Sequence, residues 1–303
     1  MTHALPQLAG TAFVTDGGLE TDLIFHHGVD LPEFAAFPLV EDDRGRELLT
    51  AYYDAYAGIA RRAGAGLLLE APTWRANPDW AALVGYDATA LDRVNRASID
   101  LMSALRETHA DLPDVLVGGV VGPRGDGYVA ADGVDPDEAA DYHSAQMRSF
   151  AAAGADIVTA LTLTGAEEAI GVVRAARAAG LHVAIGFTVE TDGRLPDGTP
   201  LGAAIERVDA EAAPDYFVVN CAHPTHVAPG LDGGAWAERI VGFRPNASTL
   251  THAELDEAEE LDAGDLAELA SSYVALRRSL PNLSVLGGCC GTDATHVAAL
   301  WGV

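Results

Sequence analysis

The chain has 303 residues and a mass of 31.5 kDa, with 45 acidic residues, 18 basic residues and a net charge of −27. Such an acidic chain is a poor partner for nucleic acid or for an anionic membrane. No apolar run approaches the roughly 18 residues that a membrane span needs, and the N-terminus lacks the charged start and apolar core of a signal peptide. We therefore expect a cytoplasmic enzyme.

Short apolar runs alternate with longer amphipathic segments along the whole chain. The predicted strands are 12–15, 67–69, 115–121, 156–161, 182–187, 216–220, 239–243 and 285–286. The predicted helices between and after them are 44–63, 88–109, 136–153, 166–179, 200–212, 263–279 and 292–300. Strands that alternate with helices predict a parallel sheet. Eight such units over about 300 residues suit one closed (β/α)8 barrel of the TIM type, an α/β fold, as a single domain over 1–303.

An open, doubly wound sheet is the alternative fold. Its usual nucleotide signature is absent, because the first strand–helix turn, Asp16 to Glu20, does not read Gly-x-Gly-x-x-Gly. No Walker-type phosphate loop is present either, so we expect no nucleotide cofactor. The long segment after the seventh strand, 244–261, is a candidate lid over an active site.

Three cysteines are the most informative residues of the chain. Cys221 ends the sixth predicted strand, and Cys289 and Cys290 follow the eighth. In a barrel the carboxyl ends of the strands meet at one face, and three thiolates suit Zn²⁺. With no fourth cysteine, one position stays open for water or a substrate sulfur. The alternative is that Cys221 is an inert core residue, and spacing alone leaves both interpretations open.

Three motifs together resemble the zinc-dependent homocysteine S-methyltransferase family, which includes the betaine– and S-methylmethionine–homocysteine methyltransferases. They are Asp16-Gly17-Gly18, Asn220-Cys221 and Gly287-Gly288-Cys289-Cys290. The segment Asp192–Leu201 is also similar to the family, and the resemblance covers nearly the whole chain. It implies a (β/α)8 barrel with Zn²⁺ held by Cys221, Cys289 and Cys290.

The resemblance also implies the reaction. A methyl group would pass from an onium donor, such as S-methylmethionine, S-adenosylmethionine or betaine, to the thiol of homocysteine, giving methionine. The partners are then two small molecules, and we expect a monomer or homodimer. A different thiol acceptor and a zinc-binding barrel without turnover are the alternatives.

The candidate substrate-binding residues lie near the ends of four strands. They are Asp16, Gly17, Gly18, Glu70, Thr73, Trp74, Thr162 and Asn220. Asp16 either orients a substrate amine or bonds its own turn. Trp74 either faces the cation of the donor or packs at the rim. Asn220, next to a metal ligand, is expected to support it.

The chain departs from the family pattern after the second and fourth strands. Leu161 stands where the family has a glutamate associated with homocysteine binding, and Glu70 stands where the family has a threonine. One hypothesis is that Glu70 replaces the lost carboxylate and holds the ammonium group of the acceptor. The alternative is that Glu70 pairs with Arg75. His223 and His226, just after Cys221, are expected at the surface.

Overall fold

A computed structural model describes residues 4–131, 133–258 and 260–303. Eight parallel strands form a closed barrel in sequence order, and the last strand pairs with the first. The strands are β1 Phe13–Val14, β2 Gly66–Glu70, β3 Val115–Val121, β4 Ile157–Leu163, β5 His182–Phe187, β6 Tyr216–Asn220, β7 Ile240–Arg244 and β8 Val285–Leu286. The predicted (β/α)8 barrel is therefore confirmed, and the open sheet is excluded.

The predicted long helices are all present, with ends that differ from the prediction by at most three residues. The α-helices of the described ranges are α1 Leu19–Thr21, α2 Asp43–Ala63, α3 Pro78–Leu83, α4 Ala88–Thr108, α5 Pro136–Ala153, α6 Ala166–Ala178, α7 Leu201–Ala212, α8 Pro224–Val227, α9 His252–Asp256, α10 Leu266–Leu276 and α11 Ala294–Trp301. The short helices α1, α3, α8 and α9 were not predicted. Within the described ranges, no helix combines the length and apolar character needed to cross a membrane.

Side-chain capping explains where two of the long helices begin. The Asp42 carboxylate accepts a hydrogen bond from the amide of Gly45 at 2.8 Å, at the start of α2. The Asp135 carboxylate accepts from the amides of Asp137 and Glu138 at the start of α5, where Pro136 occupies the first turn. Both arrangements satisfy amide groups that have no partner inside the helix.

The strands alternate between two apolar layers. In β2, Leu68 points into the barrel, whereas Leu67 and Leu69 pack against the helices, as the two-residue period of a strand requires. The barrel interior contains Leu5, Phe13, Leu68, Val120, Ile157, Leu161, Ala184, Tyr216, Val218, Val241 and Val285. This packed interior leaves the strand ends as the place for a cavity.

The end of β4 departs from a regular strand. The pairing of β4 with β5 shifts between Ala160 and Leu163, and Thr162 has a φ of 63°. The predicted strand ended at Leu161, two residues too early. The irregularity lets the consecutive residues Leu161 and Thr162 both line the cavity described below, which a regular alternation would prevent.

Candidate active site

Three thiols converge at the carboxyl-end rim of the barrel. The Sγ atoms of Cys221, Cys289 and Cys290 all lie within 4.8 Å of one another, and those of Cys221 and Cys290 are 3.5 Å apart. All three residues line a cavity of about 400 Å³. Sulfurs that bind one tetrahedral Zn²⁺ at about 2.3 Å lie roughly 3.8 Å from one another. The donor set and its spacing therefore fit zinc.

Hydrogen bonds within the cluster give the three thiols different proton affinities. The bond with Cys289 raises the pKa of the Cys221 thiol, and the bond with Cys221 raises the pKa of Cys290. Bonds from Cys221 and Cys290 lower the pKa of Cys289. The cluster thus favours one thiolate beside two thiols, and binding of a metal cation would release the remaining protons.

The backbone at Cys221 is held in an unfavourable conformation. Its φ of 56° lies in the left-handed region, which a non-glycine residue adopts only with support from its surroundings. The Cys221 amide donates to the carbonyl of Arg244 at 3.0 Å. Its carbonyl lies 2.8 Å from Nε2 of His252 and accepts from Thr188 Oγ1 at 3.3 Å. Because Glu190 in turn lies 2.9 Å from Nδ1 of His252, the direction of the Cys221 side chain is set by a network of polar contacts.

The first and last strand–helix turns pack directly against each other. The Gly288 amide donates to the carbonyl of Asp16 at 2.8 Å, and the Gly18 amide donates to the carbonyl of Thr292 at 2.9 Å. A Cβ atom on Gly18 would lie only 2.6 Å from the carbonyl oxygen of Cys289. Glycine at position 18 is therefore required by this close approach, which brings the Asp16 turn next to two of the three thiols.

Asn220 links the end of β4 to the cysteine cluster. Its Oδ1 accepts from the Thr162 amide at 2.9 Å, and its Nδ2 donates to Thr162 Oγ1 at 2.8 Å. The same Nδ2 lies 3.9 Å from Sγ of Cys289. Asn220 is fully buried behind the cavity wall, so it is placed to support residues that line the cavity rather than to contact a substrate itself.

A buried arginine joins two of the predicted acidic residues. Arg244, the last residue of β7, donates to Asp16 Oδ1 at 2.7 Å and forms an ion pair with Glu70. It also donates to the carbonyl of Gly288 at 2.9 Å and that of Gly17 at 3.1 Å. Asp16, Glu70 and Arg244 form what we call the Arg244 group. Their side chains are 2–7% exposed.

The contacts of the Arg244 group correct the expected partner of Glu70 and affect the pKa of Asp16. The alternative pairing of Glu70 with Arg75 is wrong, because Glu70 binds Arg244 and the hydroxyl of Thr15. Burial raises the pKa of Asp16 to about 6, with Arg244 opposing the rise and Glu70 adding to it. Arg244 stands at the start of the predicted lid, and no local pattern indicates its role, since its acidic partners are 174 and 228 positions away.

Trp74 and Thr73 occupy different places at the end of β2. The guanidinium of Arg75 lies 4.1 Å from the centre of the Trp74 ring, and Trp74 Nε1 donates to the carbonyl of Leu161 at 3.2 Å. Trp74 lines the cavity, although this arginine covers one of its faces. Thr73 is fully buried and donates to the carbonyl of Val120 at 2.8 Å. Thr73 therefore lies behind the wall, and its prediction as a substrate contact is not supported by its position.

The model of the homocysteine S-methyltransferase family matches residues 13–302. The chain belongs to this family. The predicted family and the predicted class, a thiol methyltransferase, are thereby confirmed. The structural likeness agrees with this membership: the homocysteine methyltransferase MmuM from Escherichia coli superimposes with TM-scores of 0.76 in its oxidised form and 0.74 in its metallated form. Identity is 22%, and the oxidised form aligns over 96% of this chain and 95% of the other, which shows a common fold.

Two methionine synthases also match part of this family member. Those of Mycobacterium leprae and Mycobacterium tuberculosis are each 32% identical over 132 residues, which is 42% of this chain. The match spans only 10% and 11% of the lengths of those two proteins. It adds support for the family over that segment, and it does not extend to their other parts.

Two cavity residues of this family member were not singled out from the sequence. The Tyr128 hydroxyl lies 3.1 Å from Sγ of Cys221 and 3.7 Å from Sγ of Cys290, and its ring stacks on His252 at 4.2 Å. Glu20 lines the cavity beside the Asp16 turn, and burial raises its pKa to about 7. Tyr128 lies in a glycine-rich loop without a motif. Glu20 follows the recognised Asp16-Gly17-Gly18 turn, which was the available signal.

The segment after β7, predicted as a lid, contributes residues to the wall of the cavity. It contains the short helix α9, although a loop was expected. Its cavity-lining residues are Ser248, Leu255, Asp256, Ala258, Glu260 and Leu261, and Glu259 lies outside the described residues. The structure therefore supports the location of a lid, and its movement stays a prediction.

The two histidines after Cys221 are not at the surface. His223 and His226 are both buried, which corrects the expectation. Nδ1 of His223 lies 2.7 Å from Oγ1 of Thr225 and accepts from the Thr225 amide at the start of α8. Nε2 of His226 lies 3.0 Å from the carbonyl of Thr249. These contacts direct both rings to neighbouring protein groups.

Proposed function

We propose that this protein transfers a methyl group from an onium donor to the thiol of homocysteine, giving methionine, with Zn²⁺ held by Cys221, Cys289 and Cys290. The observation that carries the proposal is the convergence of three sulfur atoms within 4.8 Å on the wall of one cavity. A cavity of about 400 Å³ is in the usual range for small-molecule sites. Family membership supports homocysteine as the acceptor.

The chemistry requires a sulfur nucleophile at neutral pH. When bound, Zn²⁺ would deprotonate a coordinated thiol and so make its sulfur nucleophilic. A bond forms between the acceptor sulfur and the methyl carbon, and the bond from that carbon to the onium atom breaks. The donor then leaves as a neutral sulfide or amine, and its bonding electrons neutralise the former cation.

The chain supplies the surroundings for this transfer. Asn220 contacts the sulfur of Cys289, and His252 contacts the carbonyl of Cys221. Both contacts help to orient the cysteine side chains. Aromatic rings attract a cation through their faces. The aromatic residues that line the cavity are Phe25, Phe34, Trp74 and Tyr128.

The test is methionine formation by the purified, zinc-loaded protein. Homocysteine is supplied with S-methylmethionine, S-adenosylmethionine or betaine in separate reactions, and methionine is measured by mass spectrometry. We expect methionine from at least one donor, loss of activity on chelation, and recovery when Zn²⁺ is added back. Cys289→Ser should weaken zinc binding by more than about 100-fold, beyond the effect of losing a supporting residue.

Two separate results would contradict the proposal. If all three thiols are alkylated at the same rate with and without Zn²⁺ under native conditions, they do not hold the metal. If the zinc-loaded protein forms no methylated thiol from any donor, it is not a methyltransferase of this kind. Circular dichroism of Cys289→Ser is the control that separates lost metal binding from lost folding.

A different thiol acceptor is the second candidate. It is favoured by Leu161, an apolar residue on the cavity wall where the family resemblance implies a glutamate. The same assay distinguishes the two by supplying thiols of different size and charge in competition with homocysteine. A higher kcat/KM for another thiol would replace homocysteine as the acceptor and leave the methyl-transfer chemistry in place.

A further inference from the structure

Six charged side chains on the cavity wall lie outside the Arg244 group. Of these, Asp126, Asp256 and Glu260 are exposed, and Asp262 accepts hydrogen bonds from Ser248 and Gly264, which leaves two. They are Glu20, at the start of α1, and Arg75, after β2. Within residues 4–131, 133–258 and 260–303, neither side chain forms an ion pair, and the carboxylate of Glu20 accepts no hydrogen bond from another residue. A charge that is removed from water without a partner is costly. The two residues are therefore candidates to bind a ligand of complementary charge.

Arg75 is held rigidly with donor capacity to spare. Its guanidinium lies 4.1 Å from the ring centre of Trp74 and 3.6 Å from that of Trp80. It donates one hydrogen bond, to the carbonyl of Gly125 at 3.3 Å, and its Nε is buried without a partner. Arg75 is 8% exposed. Stacking between two rings fixes the planar group, and the unused N–H groups can bind a carboxylate in a bidentate manner.

The acidic residue near Arg75 does not neutralise it. Asp126 Oδ1 already accepts from the amides of Tyr128 at 2.7 Å and Val129 at 3.2 Å. Burial lowers the pKa of Arg75, and the charges of Asp126, Glu20 and Glu33 oppose this without reversing it. Arg75 thus stays short of negative charge. Because Glu20 acts on Arg75 electrostatically but does not reach it, the two residues are separated within the same cavity.

Two other carboxylates on the cavity wall near the thiols, those of Asp16 and Glu70, already have a cationic partner. Asp16 and Glu70 share the charge of Arg244. Glu70 Oε1 has no hydrogen-bond partner, so it could accept one further bond, but Oε2 of the same carboxylate already binds Arg244 and the hydroxyl of Thr15. Glu20, by contrast, forms no ion pair with any of the residues that the structure describes, although Arg244 acts on it electrostatically. The lost family glutamate at position 161 is thus better replaced by Glu20 than by Glu70.

We propose that Glu20 and Arg75 bind the two charged groups on the α-carbon of an amino acid, with Glu20 accepting hydrogen bonds from the ammonium group and Arg75 donating to the carboxylate. This inference rests on the proposed function, and it defines the acceptor as a thiol that carries an α-amino-acid group. A zwitterion satisfies both wall charges at once and leaves the net charge of the cavity unchanged. A thiol with only one of the two groups leaves one wall charge unpaired.

Three acceptors separate the two contacts. Homocysteine carries both groups, 3-aminopropanethiol lacks the carboxylate, and 4-mercaptobutanoate lacks the ammonium group. Each is titrated into the zinc-loaded protein by calorimetry, and KM and kcat are measured with the best methyl donor. The variants are Glu20→Gln and Arg75→Met. The matched controls are Glu47→Gln and Arg148→Met, whose side chains are exposed on helices away from the cavity.

The expected pattern is selective by variant. Glu20→Gln should weaken homocysteine and 3-aminopropanethiol by about 10- to 100-fold, as expected for a hydrogen bond to a charged group, and leave 4-mercaptobutanoate unchanged. Arg75→Met should weaken homocysteine and 4-mercaptobutanoate and leave 3-aminopropanethiol unchanged. The effects should appear mainly in KM, since neither residue touches the reacting sulfur. The control variants should match the wild type.

Two outcomes would overturn the inference. One is an equal loss for all three acceptors in a folded Glu20→Gln or Arg75→Met protein, because a purely structural role would produce it. The other is no loss for homocysteine in either variant. If Arg75→Met does not fold, Arg75→Lys keeps the charge without the planar fork and should still weaken carboxylate-bearing thiols selectively.

The test also separates this inference from the proposed function. If the protein forms methionine but the variants weaken all three thiols equally, the proposed contacts of Glu20 and Arg75 are refuted and the proposed methyl transfer is retained. If the variants weaken binding selectively but no methylated product forms, the contacts are retained and the proposed methyl transfer is refuted.

Discussion

Arginine–carboxylate groups occur at both ends of the barrel, but their surroundings differ. At the carboxyl ends, Arg244 and its two acidic partners are 2–7% exposed. At the amino ends, Arg177 pairs with Asp215, before β6, with side-chain exposures of 41% and 14%. Arg106 and Asp156, before β4, are 38% and 35% exposed. The ion pairs are therefore desolvated at the carboxyl-end face and partly exposed to water at the amino-end face.

This difference shows what each group contributes. Burying charges is unfavourable, and an ion pair seldom recovers the full desolvation energy. The Arg244 group is consequently a poor device for stability, but it binds the Gly17 and Gly288 carbonyls and so joins the turns beside the thiols. The pairs at the amino ends hold strand starts together, since Asp156 accepts from the Val117 amide and Asp215 from the Val183 amide. In barrels of this kind the carboxyl-end face carries activity, and the opposite face carries stability.

The largest loss of stability is expected from Arg244→Met, which tests the desolvated Arg244 group at the carboxyl-end face. Two buried carboxylates would lose their cation, and such a loss destabilises by about 3–5 kcal/mol. The free energy of unfolding is measured in urea on metal-free protein. Arg46→Met is the matched control, since that residue forms an exposed ion pair with Asp43 worth about 1 kcal/mol or less. Equal losses in the two variants would show that the Arg244 group is not desolvated.

Asn220→Ala should have a smaller effect on stability and a specific effect on the metal. It leaves the Thr162 amide without its acceptor, at about 1–3 kcal/mol. Loss of a residue that supports a ligand typically weakens metal binding by about 10- to 100-fold. Zinc affinity is measured by competition with a coloured chelator. An unchanged affinity would mean that Asn220 supports the fold of β4 alone and not the cysteine cluster.

Asp215→Asn tests the partly exposed ion pair with Arg177 at the amino-end face of the barrel. Burial works against ionisation of Asp215, but hydrogen bonds from the Val183 amide, His182 and Arg177 lower its pKa below the usual 3.8. A lowered folded-state pKa means that the stabilisation is fully present above the unfolded value and is lost as the pH falls through the folded value. We expect Asp215→Asn to lose about 1.5–3 kcal/mol at pH 7, with kcat unchanged.

The pH dependence supplies the control for this variant. Wild type and Asp215→Asn should approach the same free energy of unfolding as the pH falls from about 4 through the lowered folded-state pKa of Asp215, because the carboxylate of the folded wild type is protonated only below that value. A stability difference that stays constant with pH would show that the charge of Asp215 is not responsible. A fall in kcat would show that the amino-end face is coupled to the cavity.

Local patterns were sufficient for the barrel and for the approach of the cysteines. Apolar alternation and helix caps such as Asp42 and Asp135 act over a few residues, so the element bounds follow closely from the sequence. The convergence of Cys221 with Cys289 and Cys290 follows from strand ends that share one rim. Their role as zinc ligands stays a prediction, as do the substrate contacts.

The organic part of the cavity depended on tertiary structure. Glu70 pairs with Arg244 rather than with its sequence neighbour Arg75, because the closed barrel brings the ends of β2 and β7 within contact distance. Thr73 and Trp74 are adjacent in sequence, yet one lies behind the wall and the other on it.

The sequence by itself determined the fold, the family and the meeting of three thiols at one rim, since each depends on periodicity or on motifs a few residues long. Only the tertiary structure decided which charged side chains near those thiols have an ion-pair partner. Charge balance depends on distances between side chains that can be more than 200 positions apart, and no local pattern encodes such distances. Among the described residues, Glu20 and Arg75 were recognised as charges without an ion pair only when Arg244 was found to bind Asp16 and Glu70.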